Sequence, residues 1–247
     1  MVSHLILEGV THVQYADDTI IMVELNDDCI AHLKFILLCF EVVSDLKINF
    51  SKSEVLVTGV DDSEALRVAR LLNCNLVSFP FKYLGLPILP DLLHSKDFAS
   101  TVSKVGTRVL PWRGRYNTNV GKVALVNACL SSLPIFLMGF YLLSAGIHAG
   151  FDKHRGASYW NAADNRRKYR LVKWKLMCRP KNLGGLGIIN MSVMNKCLMI
   201  KWWWKIMSSG ASSLWYSILK AKYFPHSSPM FAGARHGSQF WKDPIKV

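Results

Sequence analysis

The 247-residue sequence predicts an α+β fold, with a small mixed segment over residues 1–90 and a mostly helical region over 91–247. Three observations predict it. Short runs rich in β-branched and aromatic residues, around Val10, Val13, Tyr15, Ile20, Ile21, Met22 and Val23, flank the acidic pair Asp17-Asp18. Apolar residues then recur at three- and four-residue spacing in Leu33, Ile36, Leu37, Phe40 and Val43, the mark of an amphipathic helix. From about Ser95 the pattern is helical and broken only by single prolines and glycines, with no linker, repeat or low-complexity tract.

Taken in order, the first elements are two strands with the carboxylates at the turn between them. Charge beside buried strands is costly unless compensated, and a divalent cation is the usual compensation. Asn26-Asp27-Asp28 supplies capping side chains for a helix over 27–45. A turn-rich basic stretch, Leu46 to Ser53, leads to a short strand over Glu54 to Thr58. Ser63 is the expected cap of a second helix carrying Leu66, Ala69, Arg70 and Leu72 and ending near Asn73. Phe81 to Ile88 is an apolar segment punctuated by Gly85 and Pro87. Beyond Ser95, breaks are expected at Pro111, near Gly121, at Pro134 and around Gly150. Val123 to Ile147 is apolar enough to raise a membrane span. Asn127, Ser131, Ser132 and Pro134 interrupt it, so a core helix pair broken at Pro134 is preferred and no membrane partner is expected. Trp202-Trp203-Trp204 point about 100° apart on a helix, so at most two share a face, and the segment reads as a helix wedged between others.

Charge narrows the function classes. Residues 1–64 hold 12 of the 17 acids and 3 of the 30 lysines and arginines, a net −9, whereas residues 65–247 carry a net +22. An acidic head on a basic body is the asymmetry of a protein that meets a polyanion. Residues 153–181 concentrate it: Lys153, Arg155, Arg166, Arg167, Lys168, Arg170, Lys173, Lys175, Arg179 and Lys181 face one acid, Asp164, with Trp160, Tyr169 and Trp174 among them. Such a segment suits phosphate contact and base stacking, or equally a solvated helix face over packed aromatic rings. The six cysteines show no CxxC or zinc spacing and there is no secretory signal at Met1, so they read as reduced, mostly buried thiols of an intracellular protein, nuclear or cytoplasmic.

The motifs Tyr15-Ala16-Asp17-Asp18, Ser44-Asp45-Leu46-Lys47-Ile48-Asn49-Phe50-Ser51-Lys52-Ser53 and Lys82-Tyr83-Leu84-Gly85-Leu86-Pro87 occur in this order. They resemble motifs C, D and E of the reverse transcriptases encoded by non-LTR (LINE-type) retroelements. Ser131-Ser132-Leu133-Pro134, Leu171-Val172-Lys173-Trp174, Cys178-Arg179-Pro180-Lys181, Gly184-Gly185-Leu186-Gly187 and Asn195-Lys196 resemble the region after the polymerase core in plant members. The resemblance implies a partial palm over 1–90 and a thumb-like basic helical region over 91–247. It implies RNA-directed DNA synthesis on an RNA template and a DNA primer, with two Mg2+ ions about 3.5–4 Å apart. Magnesium prefers carboxylate and water oxygens, which suits aspartates.

By the same resemblance Asp17 bridges the metals and Asp18 supports them, while Tyr15 and Ala16 shape the turn beside the primer end. Lys52 acts near the pyrophosphate leaving group, and Tyr83, Leu84 and Gly85 form a primer-grip-like hairpin. A surface charge at Lys52 and a packed ring at Tyr83 are the competing readings. Arg166, Arg167, Lys168, Arg170 and Lys173 are the candidate nucleic-acid contacts, and no specific protein partner is indicated. The family's remaining metal-binding aspartate belongs to motif A. Only 14 residues precede Tyr15, so motif A is expected to be absent and the chain inactive as a polymerase by itself, leaving a residual nucleic-acid-binding protein or a remnant. Asp45 stands where the family usually has glycine.

Overall fold

Valines and isoleucines beside an acidic turn give a strand pair, and the first described element is that pair. The computed structural model describes residues 9–89, 94–109, 118–160, 171–208, 213–225, 228–229 and 237–247. They form an α+β protein with three two-stranded sheets and a helical C-terminal region. The chain divides into two units, Met1–Leu89 with Ser217–Pro225, and Pro90–Tyr216 with His226–Val247.

In the first unit β1 (His12–Tyr15) pairs antiparallel with β2 (Asp18–Ile21). Asn26 accepts a hydrogen bond from the Asp28 amide (3.0 Å) and starts α1 (Asp27–Ser44), as its sequence position predicts. Next come β3 (Glu54–Val55), α2 (Asp62–Leu72) and β4 (Asn75–Leu76), the last parallel to β3. The cap of α2 is Asp61, whose carboxylate accepts from Glu64 N at 3.0 Å; Ser63, the expected cap, lies inside the helix with its hydroxyl on Asp61. Arg67 joins the helices by bonding both Asp27 and Glu64 (2.5 and 2.6 Å), and its guanidinium holds the Glu64 carboxyl below the usual range. β5 (Phe81–Tyr83) and β6 (Leu86–Ile88) close the unit as a second hairpin.

The apolar stripe expected to bury α1 remains largely open. Ile30 is its buried residue, whereas Ile36, Phe40 and Val43 are exposed, and Val42 and Val43 reach 84% and 87%. Among the described residues of this unit, the strand pairs are only two to four residues long and leave much of the 18-residue helix uncovered. The cysteines differ from expectation in the same direction. All six are free thiols, but Cys39 and Cys197 are exposed and the others half-buried.

The second unit is built on α3 (Ala99–Val109), α4 (Asn119–Leu125), α5 (Ser132–Met138), α6 (Ala145–Trp160), α7 (Trp174–Met177), α8 (Met191–Ser208), α9 (Leu214–Tyr223, which continues into the first unit) and α10 (Gln239–Ile245). A π turn, Val126–Leu130, joins α4 to α5, so 119–138 is one helical path rather than a pair broken at Pro134. Proline there cannot donate to the preceding turn, and the wide turn, closed by Ser131 N on Val126 O (2.9 Å), absorbs the mismatch. By length and composition Asn119–Met138 could cross a membrane. Midway along it, however, Asn127 donates to Gly187 O and accepts from Ile189 N (both 3.0 Å), a tie that holds it in protein packing. Gly150 breaks nothing; it sits within α6, where a Cβ would come 3.2 Å from Val102, so its smallness serves close packing on α3.

The core holds Val105, Val126, Met138, Phe151, Met199 and Trp241. Of the three consecutive tryptophans, Trp202 donates to Gly139 O (2.6 Å) and Trp203 to Pro244 O (2.8 Å), while Trp204 is 76% exposed. Two rings on the packed side and one outside is the outcome that helical geometry requires.

Candidate active-site hairpin and basic loop

Tyr15 and Asp18 are the last paired residues of β1 and β2, leaving Ala16 and Asp17 as the turn. A two-residue hairpin turn needs a positive φ, and Ala16 supplies it at 53°. An L-residue there is strained by roughly 1 kcal/mol or more. The turn is held by Gln14 Nε2 on Ala16 O (3.2 Å) and the base of the hairpin by Met22 N on Thr11 O (2.8 Å). Tyr15, Asp17 and Asp18 are all exposed. Among the described residues neither carboxylate meets a hydrogen-bond donor or a cation, and no three His, Cys, Asp or Glu side chains gather to hold a metal. The pair offers the hard oxygen donors that Mg2+ takes, but in too small a number to fix two ions.

Lys52 stands in a turn organised by Asn49. The Asn49 carbonyl accepts from Lys52 N and Ser53 N (both 3.0 Å), and its side chain accepts from Lys52 N (3.1 Å) and Ser51 Oγ (2.6 Å). That turn leaves the Lys52 side chain exposed. Asp45 ends α1 in the left-handed region, φ 59°, with its N–H on Glu41 O (3.1 Å). Here glycine is the unstrained occupant, which is a physical reason for glycine at this place in the motif.

Leu84 and Gly85 both have positive φ, 51° and 80°, and form the two-residue turn between β5 and β6. The Tyr83 hydroxyl is buried without a hydrogen-bond partner among the described residues, so the half-buried ring reads as packed.

Arg166, Arg167, Lys168 and Arg170 lie outside the described residues. Lys173 is exposed and precedes α7, its carbonyl accepting from Leu176 N at 2.9 Å. Another member of the basic segment leaves the surface altogether. Arg155 is 0% exposed, donates to Asp152 and to Ile189 O (both 2.7 Å), and lies 5.5 Å from the Trp174 ring centroid. Trp174 is thereby a packing partner rather than a free stacking platform. Asn195 is equally buried: it accepts from Leu143 N (2.8 Å) and donates to Met138 O (2.8 Å) and Tyr141 O (2.9 Å). Asp243 accepts from Leu142 N at 2.9 Å. These buried polar groups are structural, and an asparagine inside an apolar run, such as Asn127, is the sequence signal for them.

No protein-family model matches the chain. It is similar to an Arabidopsis thaliana protein named "Putative ribonuclease H protein", at 31% identity over 138 residues, 56% of this chain and 22% of that protein. It is also similar to an uncharacterized mitochondrial protein of Arabidopsis thaliana, at 30% identity over 100 residues, 40% of this chain and 64% of that one. The chain thus spans less than two thirds of the length of either relative, and both are plant proteins.

Proposed function

We propose that this chain is a retroelement-derived piece of a reverse transcriptase, comprising the carboxylate hairpin of the palm and the basic helical region that follows it. It binds nucleic acid and does not polymerise by itself. The observation that carries the reading is the hairpin: a strained two-residue turn that places Asp17 and Asp18 side by side and exposed. The second hairpin at Leu84-Gly85 and the Asn49 turn, each at its motif, support the reading, as does a relative named for ribonuclease H.

Two-metal phosphoryl transfer needs both ions held at a fixed separation, and misplacement by an ångström costs orders of magnitude in rate. Two adjacent carboxylates supply part of that constellation, and a third from another segment of a polymerase is required. The open apolar side of α1 fits the same account, since contiguous exposed apolar surface marks a face that another segment covers. Primer extension by the purified chain on a primed RNA template, in Mg2+ or Mn2+, tests it. The expected result is no incorporation, with template–primer binding that weakens steeply as salt rises. Incorporation by the chain alone overturns the inactive reading, and salt-independent binding overturns the nucleic-acid reading.

A further inference from the structure

We infer that the loop over residues 173–187 is a preorganised cationic clamp for the phosphodiester backbone of a nucleic acid, with Lys175, Arg179 and Lys181 as its contacts. This rests on the nucleic-acid reading above and names the surface that performs it. From 165 to 242 the sequence has no acid and 15 lysines and arginines. Within that stretch the loop gathers four exposed basic residues, Lys173, Lys175, Arg179 and Lys181, into nine positions on a backbone that hydrogen-bonds to itself.

Its backbone folds on itself. Gly185 N and Leu183 N donate to Pro180 O (3.1 and 3.0 Å), Leu186 N to Met177 O (3.0 Å) and Gly187 N to Arg179 O (3.0 Å). Two glycines make this return possible for separate reasons. A Cβ on Gly185 would fall 2.0 Å from Arg179 O, so no other residue fits beneath the Arg179 backbone. Gly187, at φ +68°, underlies the alkyl chain of Lys181, whose Cγ lies 3.4 Å from the position of a Cβ there. The Lys181 stem is thus laid across the loop, and the residue is exposed. Below, the loop is anchored to the core through Arg155 on Ile189 O and Asn127 on Gly187 and Ile189. Lys173, Lys175, Arg179 and Lys181 are all exposed, and no acidic residue occurs between 171 and 187. Fixed cations lose less freedom on binding than lysines on a mobile tail, and a run of phosphates is the polyanion that several of them can neutralise together.

The test is fluorescence anisotropy of a labelled 20-nucleotide single strand across a KCl series. It compares the full chain, K175Q/R179Q/K181Q, and the equal-charge control K196Q/K201Q/K220Q, whose lysines are exposed elsewhere. Removing three phosphate contacts lowers the log–log salt slope by about 2 and weakens binding about 100-fold at 0.1 M KCl. The control keeps the slope of the unmodified chain within about half that change, and coincident thermal melts show that all three are folded. An unchanged slope in the loop variant, or an equal loss in the control, overturns the clamp while the nucleic-acid reading stands. Failure of the unmodified chain to bind overturns both. Vesicles of phosphatidylserine and phosphatidylcholine form a further arm. A loop variant that loses vesicle binding but keeps oligonucleotide binding assigns the loop to a membrane surface and overturns the proposal.

Discussion

Replacing Arg155 with methionine separates a structural arginine from a surface one. The side chain is fully buried and makes two 2.7 Å hydrogen bonds, one to the half-exposed Asp152 and one to Ile189 O, beneath the Trp174 ring. Loss of a hydrogen bond to a charged partner costs about 1.5–3 kcal/mol, and the orphaned Ile189 carbonyl about 1–3 kcal/mol. The cation–π contact adds about 0.5–2 kcal/mol. Against this, burial pushes the Arg155 pKa down, and its Nε has no partner among the described residues, so removing the ion recovers desolvation cost. Asp152 reaches solvent and is not stranded, which keeps the net loss at about 2–4 kcal/mol. All eight tryptophans lie between residues 112 and 241, in the second unit, so urea unfolding followed by tryptophan fluorescence reads that unit alone. The midpoint falls with the slope unchanged, while the salt slope for oligonucleotide binding stays that of the unmodified chain. A loss below about 1 kcal/mol, or a salt slope lowered in the folded variant, refutes the structural assignment.

Two further outcomes follow from local geometry. Asp45→Gly relieves a left-handed L-residue and removes an acid from a helix C-terminus, offset by the greater freedom of glycine in the unfolded chain; the net gain is about 0.5–1.5 kcal/mol in a far-ultraviolet circular dichroism melt, and a loss contradicts it. His148 is buried, and that burial pushes its imidazole below the usual value, only partly opposed by Asp152. The unfolded chain therefore takes up a proton that the folded one refuses, so stability of the second unit declines as pH falls below about 6.5 and stops declining once the folded-state pKa is passed. Urea midpoints at pH 7.5 and 5.5 check this; His148→Asn narrows the difference, and an undiminished difference in that variant contradicts it.

Much of the first unit was legible because its signals are local. The acidic turn and the Asn26 cap each depend on a few neighbouring residues, whereas a turn at Leu84-Gly85 follows from the family resemblance and not from the local pattern. The misreadings came where distant groups decide. Pro134 was expected to end a helix, but a π turn accommodates it, and Gly150 was expected to break one but serves packing against Val102. Arg155 reads as one more cation of the basic segment because nothing nearby in sequence reveals its contacts with Ile189 O and Trp174. The exposed stripe of α1 shows the converse: periodicity identified an apolar face correctly but could not say that the described residues leave it open.

Asp17 and Asp18 are proposed here as part of a metal site. Primer extension tests it most directly when the chain is combined with a polymerase segment that supplies a third carboxylate, beside the chain alone and the Asp17→Asn variant. The account predicts incorporation in the combination only, abolished by Asp17→Asn. Incorporation by the chain alone, or incorporation indifferent to Asp17→Asn, contradicts it.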